Sequence, residues 1–245
     1  MAGGFAFSAF PAVASASPAW TLRPGCALDI GTGANGSVWV VGCNRVPGGF
    51  GIYRWNGSGW VQQPGGAFTI TVDPSGNAWI TNEFGQIYRW NGSGWVLLPG
   101  CGFDIDVGAN GTAWVTGCNR VVGGLGIYRW NGSGWVPQPG GGLFIGVDPS
   151  GNAWVTNEFG EINRWNGSGW VLLPGCALDI DVGGAAGTNG TAWVSGCNPV
   201  VGGLGIYSWN GSGWAEQTGG AIAIGVDPTG NHPWVTNQFA EIYSS

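Results

Sequence analysis

Two pairs of aspartates with one residue between them, Asp104/Asp106 and Asp179/Asp181, are the carboxylate groupings best placed for chemistry in this 245-residue chain. Close acids can share a proton, hold a cation or divide acid and base roles. A spacing of two puts both on one face of an extended strand. That placement suits a water-filled channel or a bound cation and does not resemble a glycosidase pair. Asp29 has Gly31 where its siblings carry the second acid. The six cysteines fall into Cys26/Cys43, Cys101/Cys118 and Cys176/Cys197, each pair joining a crossover to the long loop of the same blade-like unit. These are three disulfides or three opposed thiol pairs. Two thiols per cluster leave a metal's other ligands unspecified, so neither a metal site nor a cofactor is expected. The single histidine, His232, precedes Pro233-Trp234 where related segments read Asn77-Ala78-Trp79 and Asn152-Ala153-Trp154. It reads as a substituted turn residue. No Ser-His-Asp set can be assembled, and the chain is expected not to be an enzyme.

Composition narrows the field further. The chain holds 51 Gly and 17 Trp with only 8% charged residues, so it is too aromatic to remain unfolded. It has no lysine, and its net charge of −6 would repel a phosphate backbone. Nucleic acid is therefore not an expected partner. No apolar run reaches the ~20 residues of a spanning helix, so membrane insertion is not expected either. Met1 to Ala19 are small and largely apolar but lack the basic start of a secretory signal. Residues 1–18 read as an arm whose Phe5, Phe7 and Phe10 need burial, and a neighbouring copy would supply it. A homo-oligomer is the expectation.

The elements that position these residues come from repetition. Trp-Asn-Gly-Ser-Gly-Trp begins at Trp55, Trp90, Trp130, Trp165 and Trp209. Between copies, short β-rich runs such as Phe68 to Val72, Ala78 to Thr81, Gln86 to Trp90 and Trp95 to Leu98 are bounded by Gly, Asn, Asp and Pro turns. Such a period predicts an all-β, six-bladed propeller of four-stranded antiparallel blades spanning residues 19–245. The blades are expected at about 26 to 64, 66 to 99, 101 to 139, 141 to 174, 176 to 217 and from 220 onward. The last has three strands of its own, so Trp20 to Arg23 should supply the fourth and close the ring.

Strand direction assigns the loops to two faces. The Trp-Asn-Gly-Ser-Gly-Trp hairpins share one face with the Asp-Pro-Ser-Gly turns. The opposite face carries the cysteines, the Pro-Gly crossovers and the variable loops. Eight Asn-Gly-Ser/Thr strings, at Asn35, Asn56, Asn91, Asn110, Asn131, Asn166, Asn189 and Asn210, match glycosylation acceptors. Asn-Gly is also what a tight hairpin requires, and the turn reading is preferred. So many unmodified acceptors suit a cytoplasmic protein, with secretion as the alternative.

Sugars are read by an apolar ring beside Asn, Asp, Glu and backbone groups. The cysteine-bearing face offers that mixture at Asn82, Glu83 and Phe84, at Asn157, Glu158 and Phe159, and at Asn237, Gln238 and Phe239. Asn44, Asn119 and Asn198 hold the related positions in blades with long loops. Clefts between neighbouring blades on this face are the expected ligand sites. The competing reading is that these side chains only cap hairpins and pack between blades. The second-strand tryptophans, Trp39, Trp79, Trp114, Trp154, Trp193 and Trp234, are expected in the blade-to-blade core. Arg54, Arg89, Arg129 and Arg164 should stack as cations on aromatic faces.

Trp79 to Asn82, Gly85 to Trp90 and Trp95 to Gly100 carry Trp-Val/Ile-Thr-Asn, Gly-x-Ile-Tyr-Arg-Trp and Trp-x-x-x-Pro-Gly elements that recur in order from Trp20 to Tyr243. In this the chain resembles the β-propeller lectins of the tectonin family, most closely the fungal tectonin 2 type. The resemblance implies a sugar-binding propeller without catalysis, directed at O-methylated mannose or fucose glycans in innate or fungal defence. A methyl ether suits an apolar cleft, since its area contributes about 25 cal/mol per Å² on burial. Ser208, Asn163 and Ala240 depart from the repeated pattern. A propeller scaffold for protein–protein interaction is the alternative function.

Overall fold

Each Trp-Asn-Gly-Ser-Gly-Trp string is a hairpin built by its asparagine. The Asn56 Oδ1 accepts from the Ser58 amide, the Ser58 hydroxyl and the Gly59 amide at 2.9–3.0 Å. Gly57 takes φ +99°, which a side chain would resist. Asn91, Asn131, Asn166 and Asn210 repeat the arrangement. The turn reading of these Asn-Gly-Ser strings therefore describes them structurally.

The computed structural model describes residues 18–33, 35–185, 187–227 and 232–245. The arm assigned to oligomerisation lies almost wholly outside these residues. Strand β1 (Thr21–Arg23) comes first in the chain. The first blade is β2 (Ala27–Thr32), β3 (Val38–Val46), β4 (Gly49–Trp55) and β5 (Trp60–Ala67). The second is β6 (Thr69–Val72), β7 (Ala78–Thr81), β8 (Ile87–Trp90) and β9 (Trp95–Leu98). The third is β10 (Gly102–Val107), β11 (Ala113–Val121), β12 (Gly124–Trp130) and β13 (Trp135–Gly142). The fourth is β14 (Phe144–Val147), β15 (Ala153–Thr156), β16 (Ile162–Trp165) and β17 (Trp170–Leu173). The fifth is β18 (Ala177–Gly183), β19 (Thr191–Val200), β20 (Gly203–Trp209) and β21 (Trp214–Ala221). The last is β22 (Ala223–Val226), β23 (Pro233–Thr236) and β24 (Ile242–Ser244), with β1 paired to β24 as its fourth strand. Thr21 opposes Ser244 and Arg23 opposes Ile242. The chain is a six-bladed β-propeller closed by its own N-terminal strand.

Blades one, three and five are longer than the repeat alone suggests. Their outer strands run on to Ala67, Gly142 and Ala221, past the expected ends near Pro64, Pro139 and Gln217. The cause is a register shift between Gly51 and Ile52. Gly66 and Ala67 then pair with Gly51 and Phe50 in the extended β3–β4 hairpin, leaving Pro64-Gly65 as the bulge. The other long blades repeat this shift.

The same extension corrects the placement of three cysteines. Cys43, Cys118 and Cys197, expected in long loops, lie inside the second strands β3, β11 and β19. The hairpin keeps pairing as far as Val46 and Gly49, and Cys43 falls at the irregular step between Val41 and Arg45. What reads as a loop is a strand with a bulge.

Neighbouring blades are joined by tryptophan. Trp39 of the first blade meets Trp90 and Trp95 of the second at ring-centroid distances of 6.0 and 6.3 Å. Trp114 meets Trp165 and Trp170 in the same way. Trp234 of the last blade meets Trp55 and Trp60 of the first. These rings sit among the strand Val, Ile and Ala of two adjacent blades. Each outer-strand indole also donates its Nε1–H to the crossover carbonyl of the preceding blade. The bonds run from Trp95 to Pro64, Trp135 to Pro99, Trp170 to Pro139 and Trp214 to Pro174, at 2.6–2.8 Å. Trp20 to Thr218 and Trp60 to Pro24 complete the circle. Gly100 follows the acceptor carbonyl because φ is +95° and a Cβ would stand 2.8 Å from the Trp135 ring.

Replacing Trp135 with phenylalanine keeps most of the ring contact and removes the donor. A loss of about 1 kcal/mol is expected for the bond, seen as a melting shift of about 2–4 °C for a domain of this size. Trp135→Ala should cost about 3–5 kcal/mol. Thermal unfolding followed by circular dichroism checks both, and an unshifted Trp135→Phe would show that the bond carries no stability.

Candidate functional site

The short loop after β7 is organised by Asn82. Its Oδ1 accepts from the amides of Phe84 and Gln86, and its Nδ2 donates to the Gln86 side chain. Asn157 and Asn237 do the same, with Glu161 and Glu241 as side-chain acceptors. Asn82 and Asn237 are buried. These three asparagines shape the loop, and their amide oxygens are committed to its backbone.

Glu83 closes the boundary with the preceding long blade. Its carboxylate accepts from Arg45 at 3.1 Å and from the Gly48 amide at 3.0 Å, while its own amide donates to the Gly48 carbonyl. Glu158 repeats the clasp with Arg120 at 3.0 Å and with the Gly123 carbonyl. In the third copy Pro199 stands where Arg45 and Arg120 stand, and Gln238 replaces the glutamate. The acid and its cation disappear together, and the Gln238 amide still donates to the Gly202 carbonyl. Exposed pairs of this kind contribute at most about 1 kcal/mol each, so the backbone bond is the constant part of the clasp.

The opposite boundary of each short blade carries the cysteines. The cysteines there form three disulfides, Cys26–Cys43, Cys101–Cys118 and Cys176–Cys197, with Cα atoms 5.5–5.7 Å apart. The alternative of opposed free thiols is thereby set aside. Gly85 adopts φ +72°, and a Cβ there would lie within 3 Å of both sulfurs of Cys101–Cys118. A Cβ at Gly160 would lie 2.5 Å from the Cys176 sulfur and 3.2 Å from that of Cys197. Backbone bonds from Gly102 to Gly85, Ala177 to Gly160 and Ala27 to Ala240 fix each short loop to the next long blade. Phe84 precedes Gly85 and Asn119 follows Cys118, so the contact brings both to one cleft. By the same step Phe159 joins Asn198 beside Cys197, and Phe239 joins Asn44 beside Cys43. Of the twelve residues singled out from the sequence, the three phenylalanines and Asn44, Asn119 and Asn198 flank the boundaries between a short blade and the following long one, whereas Glu83, Glu158 and Gln238 face the preceding long blade and Asn82, Asn157 and Asn237 hold the loop between.

What remains open to solvent in these clefts is chiefly aromatic. Phe84, Phe159 and Phe239 are 70%, 58% and 65% exposed. Asn44, Asn119 and Asn198 are exposed, their Oδ1 atoms accepting from Tyr53, Tyr128 and Tyr207 at 2.8–3.1 Å. The tyrosines were not singled out from the sequence. Their signal was the fixed position two residues before each hairpin tryptophan in the long blades.

The aspartates line the central channel, around a cavity of about 30 Å³ with room for about two waters. Asp29, Asp104 and Asp179 accept from the amides of Ile70, Ile145 and Ile224 on the next blade. Asp106 and Asp181 accept from Val147 and Val226. Gly31 breaks the pattern because a Cβ there would stand 2.7 Å from the Thr71 backbone. Burial raises Asp29 to about 8, reinforced by the charge of Asp179, and raises Asp106 and Asp179 to about 6. Burial also pushes Asp104 and Asp181 well above the ordinary carboxylate range. Among the described residues, no group of three or more His, Cys, Asp or Glu side chains is arranged to hold a metal ion. His232 is exposed at the start of the last blade's second strand.

No family model matches this chain, and no curated protein does. Solved structures do match. A YCF48 protein bound to a D1 peptide covers 96% of this chain and 99% of its own at 17% identity, with a TM-score of 0.61. A gluconolactonase from Xanthomonas campestris covers 87% and 84% at 14% identity, with a TM-score of 0.62. A chain of the mitotic checkpoint complex covers 100% and 98% at 9% identity, with a TM-score of 0.61. What they share with this chain is the propeller. The neighbours include peptide-bound, enzymatic and assembly proteins, and at these identities their activities stay their own.

The channel makes stability depend on pH in a definite direction. Each aspartate binds its proton more tightly folded than unfolded, so stability is greatest below the ordinary carboxylate range and falls as pH rises toward 8. The melting temperature should be higher at pH 5 than at pH 8. Asp29→Asn should flatten the decline between about pH 6 and 8. A melting temperature that rises with pH across this window would contradict the assignment.

Proposed function

We propose that the protein is a multivalent carbohydrate-binding propeller. Its ligand clefts lie at the three boundaries where a short blade meets the disulfide of the next long blade. The observation that carries this reading is the threefold recurrence, at one kind of blade boundary, of an exposed phenylalanine and an exposed asparagine that accepts from a half-buried or buried tyrosine hydroxyl. The ring offers an apolar surface to sugar C–H groups, and the asparagine amide and tyrosine oxygen offer bonds to hydroxyls. The wide exposure of each ring leaves room for an O-methyl group of mannose or fucose. Three shallow sites gain strength together on a repetitive glycan surface, which accords with a role in defence. Binding rather than turnover is the proposed activity, because the channel acids are committed to backbone amides.

One observation favours a second reading. Leu28, Phe68, Phe103 and Leu178 are exposed where the inner strands begin, on the same face as the clefts. Such an apolar collar suits one peptide lying over the channel mouth, as a protein-binding scaffold would require. The two readings differ in stoichiometry and in the residues they need.

A glycan array with methylated and unmethylated mannose and fucose, followed by calorimetry, separates them. The lectin reading expects about three sugars per chain, one fewer after Phe84→Ala, and loss of agglutination when Phe159→Ala and Phe239→Ala are added. The same variants should melt like the parent. Array binding that survives all three replacements would sink the cleft assignment, and one-to-one peptide binding lost with Phe103→Ala would favour the scaffold.

A further inference from the structure

The face that carries the Trp-Asn-Gly-Ser-Gly-Trp hairpins holds a different kind of cleft. In the second and fourth blades the third-strand arginine is neutralised from within. Arg89 meets Asp73 at 2.8 Å and Arg164 meets Asp148 at 3.0 Å, each guanidinium also lying 5.1 Å from the centre of a tryptophan ring. In the first and third blades the aspartate is gone. Gly33 and Gly108 occupy its place, and a Cβ there would stand 2.6 Å from Val72 Cγ1 or 2.5 Å from the Asp148 carbonyl. The close approach of the next blade excludes the internal partner. The arginine nevertheless remains. Arg54 lies 5.5 Å from the Trp39 ring centre and Arg129 lies 5.7 Å from that of Trp114. Neither forms an ion pair among the described residues.

Arg54 opens onto a surface cleft of about 590 Å³, lined also by Asn35, Ser37, Trp55, Asn56 and Gln63. That volume falls within the range of small-molecule sites. The third blade carries Asn110, Thr112, Trp130, Asn131 and Gln138 at the matching sequence positions beside Arg129. The fifth blade departs: Ser208 replaces the arginine and is taken up by the Gln217 amide at 3.0 Å. A guanidinium held over an indole has a restricted position, and these two lack a partner anion among the described residues. Asn35 spends both ends of its amide on Ser37 and Ser75, and the Asn56 Oδ1 and Gln63 Nε2 serve the backbone, which leaves the Asn56 Nδ2 and the Gln63 Oε1 to meet the hydroxyls of a sugar ring.

We propose that the Arg54 cleft, and its counterpart at Arg129, bind a carboxylate-bearing saccharide such as a uronic acid, with the guanidinium taking the carboxylate. The saccharide part rests on the carbohydrate reading above. The anion part rests on the two unpaired arginines. These sites lie across the disc from the phenylalanine clefts, so one propeller would present neutral-sugar and acidic-sugar sites on opposite faces.

Calorimetry with methyl glucuronoside, against methyl glucoside as the neutral control, tests the proposal on the full chain. The parent should prefer the glucuronoside by at least about tenfold, and the preference should shrink as salt rises. Arg54→Gln with Arg129→Gln should abolish it, and Arg54→Lys with Arg129→Lys should restore only part, because lysine lacks the planar fork. The Phe84→Ala, Phe159→Ala, Phe239→Ala variant should keep the preference. Melting curves confirm that each variant folds. No preference in the parent, or one that survives the double glutamine variant, would overturn the proposal. Arginine-dependent binding of an acidic peptide without glucuronoside binding would overturn its saccharide part. Arginine-dependent glucuronoside binding without any neutral methyl-sugar binding would support this site while removing the phenylalanine clefts from the proposed function.

Discussion

The indole-to-carbonyl bond between successive blades is the contact on which the rest of the disc depends. A four-stranded blade of such short strands has too little interior to stand alone. It becomes stable only when its apolar face is covered by the next blade, and the tryptophans supply most of that cover. The Nε1–H bond fixes how far and at what angle the two blades approach. Because the acceptor is a backbone carbonyl, Thr218 serves as well as the proline of other copies. The glycine after it must leave the indole room, which is why Pro-Gly recurs although the acceptor's own side chain is immaterial. Closure is the same bond made twice more, across the junction between the chain's two ends.

Once the blades are held at one spacing, variation in loop length decides where surface opens. A long hairpin leans over the following short loop and closes that boundary through Gly48, Gly123 or Gly202. At the next boundary the short loop makes a single backbone bond through Gly85, Gly160 or Ala240, and the disulfide stands beside it, pressed against the glycine at Gly85 and Gly160. Alternation of long and short blades thus becomes alternation of hairpin-clasped and disulfide-bearing boundaries. Six nearly equal blades yield three nearly equal clefts. On the opposite face the alternation acts differently. The second and fourth blades keep an aspartate in the turn that neutralises their arginine, while the first and third pack too tightly for the aspartate and leave the arginine exposed.

The blade count, the strand exchange at closure and the pairing of cysteines were legible because each rests on repetition and chain direction. The extended hairpins of the long blades were not. Their signal is a bulge at Pro64-Gly65, and in sequence that dipeptide looks the same as the plain crossover at Pro99-Gly100. For the same reason Cys43 reads as a loop residue although it belongs to β3. The site was legible as a set of positions but not as a set of roles. Asn82 and Asn44 look alike on paper. In the fold one is buried and spends its oxygen on its own loop, whereas the other is exposed and meets a tyrosine nine residues on. The paired change of Arg45 and Glu83 to Pro199 and Gln238 was present in the sequence all along. It carries meaning only when the hairpin tip is seen to lie on the short loop.

The channel shows why carboxylates occur in pairs without forming a reactive centre. The innermost strand of every blade is a sheet edge, and its amides face a cavity with space for only about two waters. A side chain from the neighbouring blade must serve those donors, and an acidic oxygen accepts more strongly than a neutral one. Five acids in one channel repel each other and resist ionisation, so protons are retained where the carboxylates are most crowded. Asp29 has lost its companion to the approach of Thr71, yet it still holds its proton to about 8 through burial and the charge of Asp179. Crowding acids around so narrow a channel destabilises the disc in alkaline solution, and leaving the inner edges without acceptors would cost it at every pH. The carboxylates are therefore explained by the backbone they serve, and the surfaces free to meet another molecule lie on the two faces of the disc.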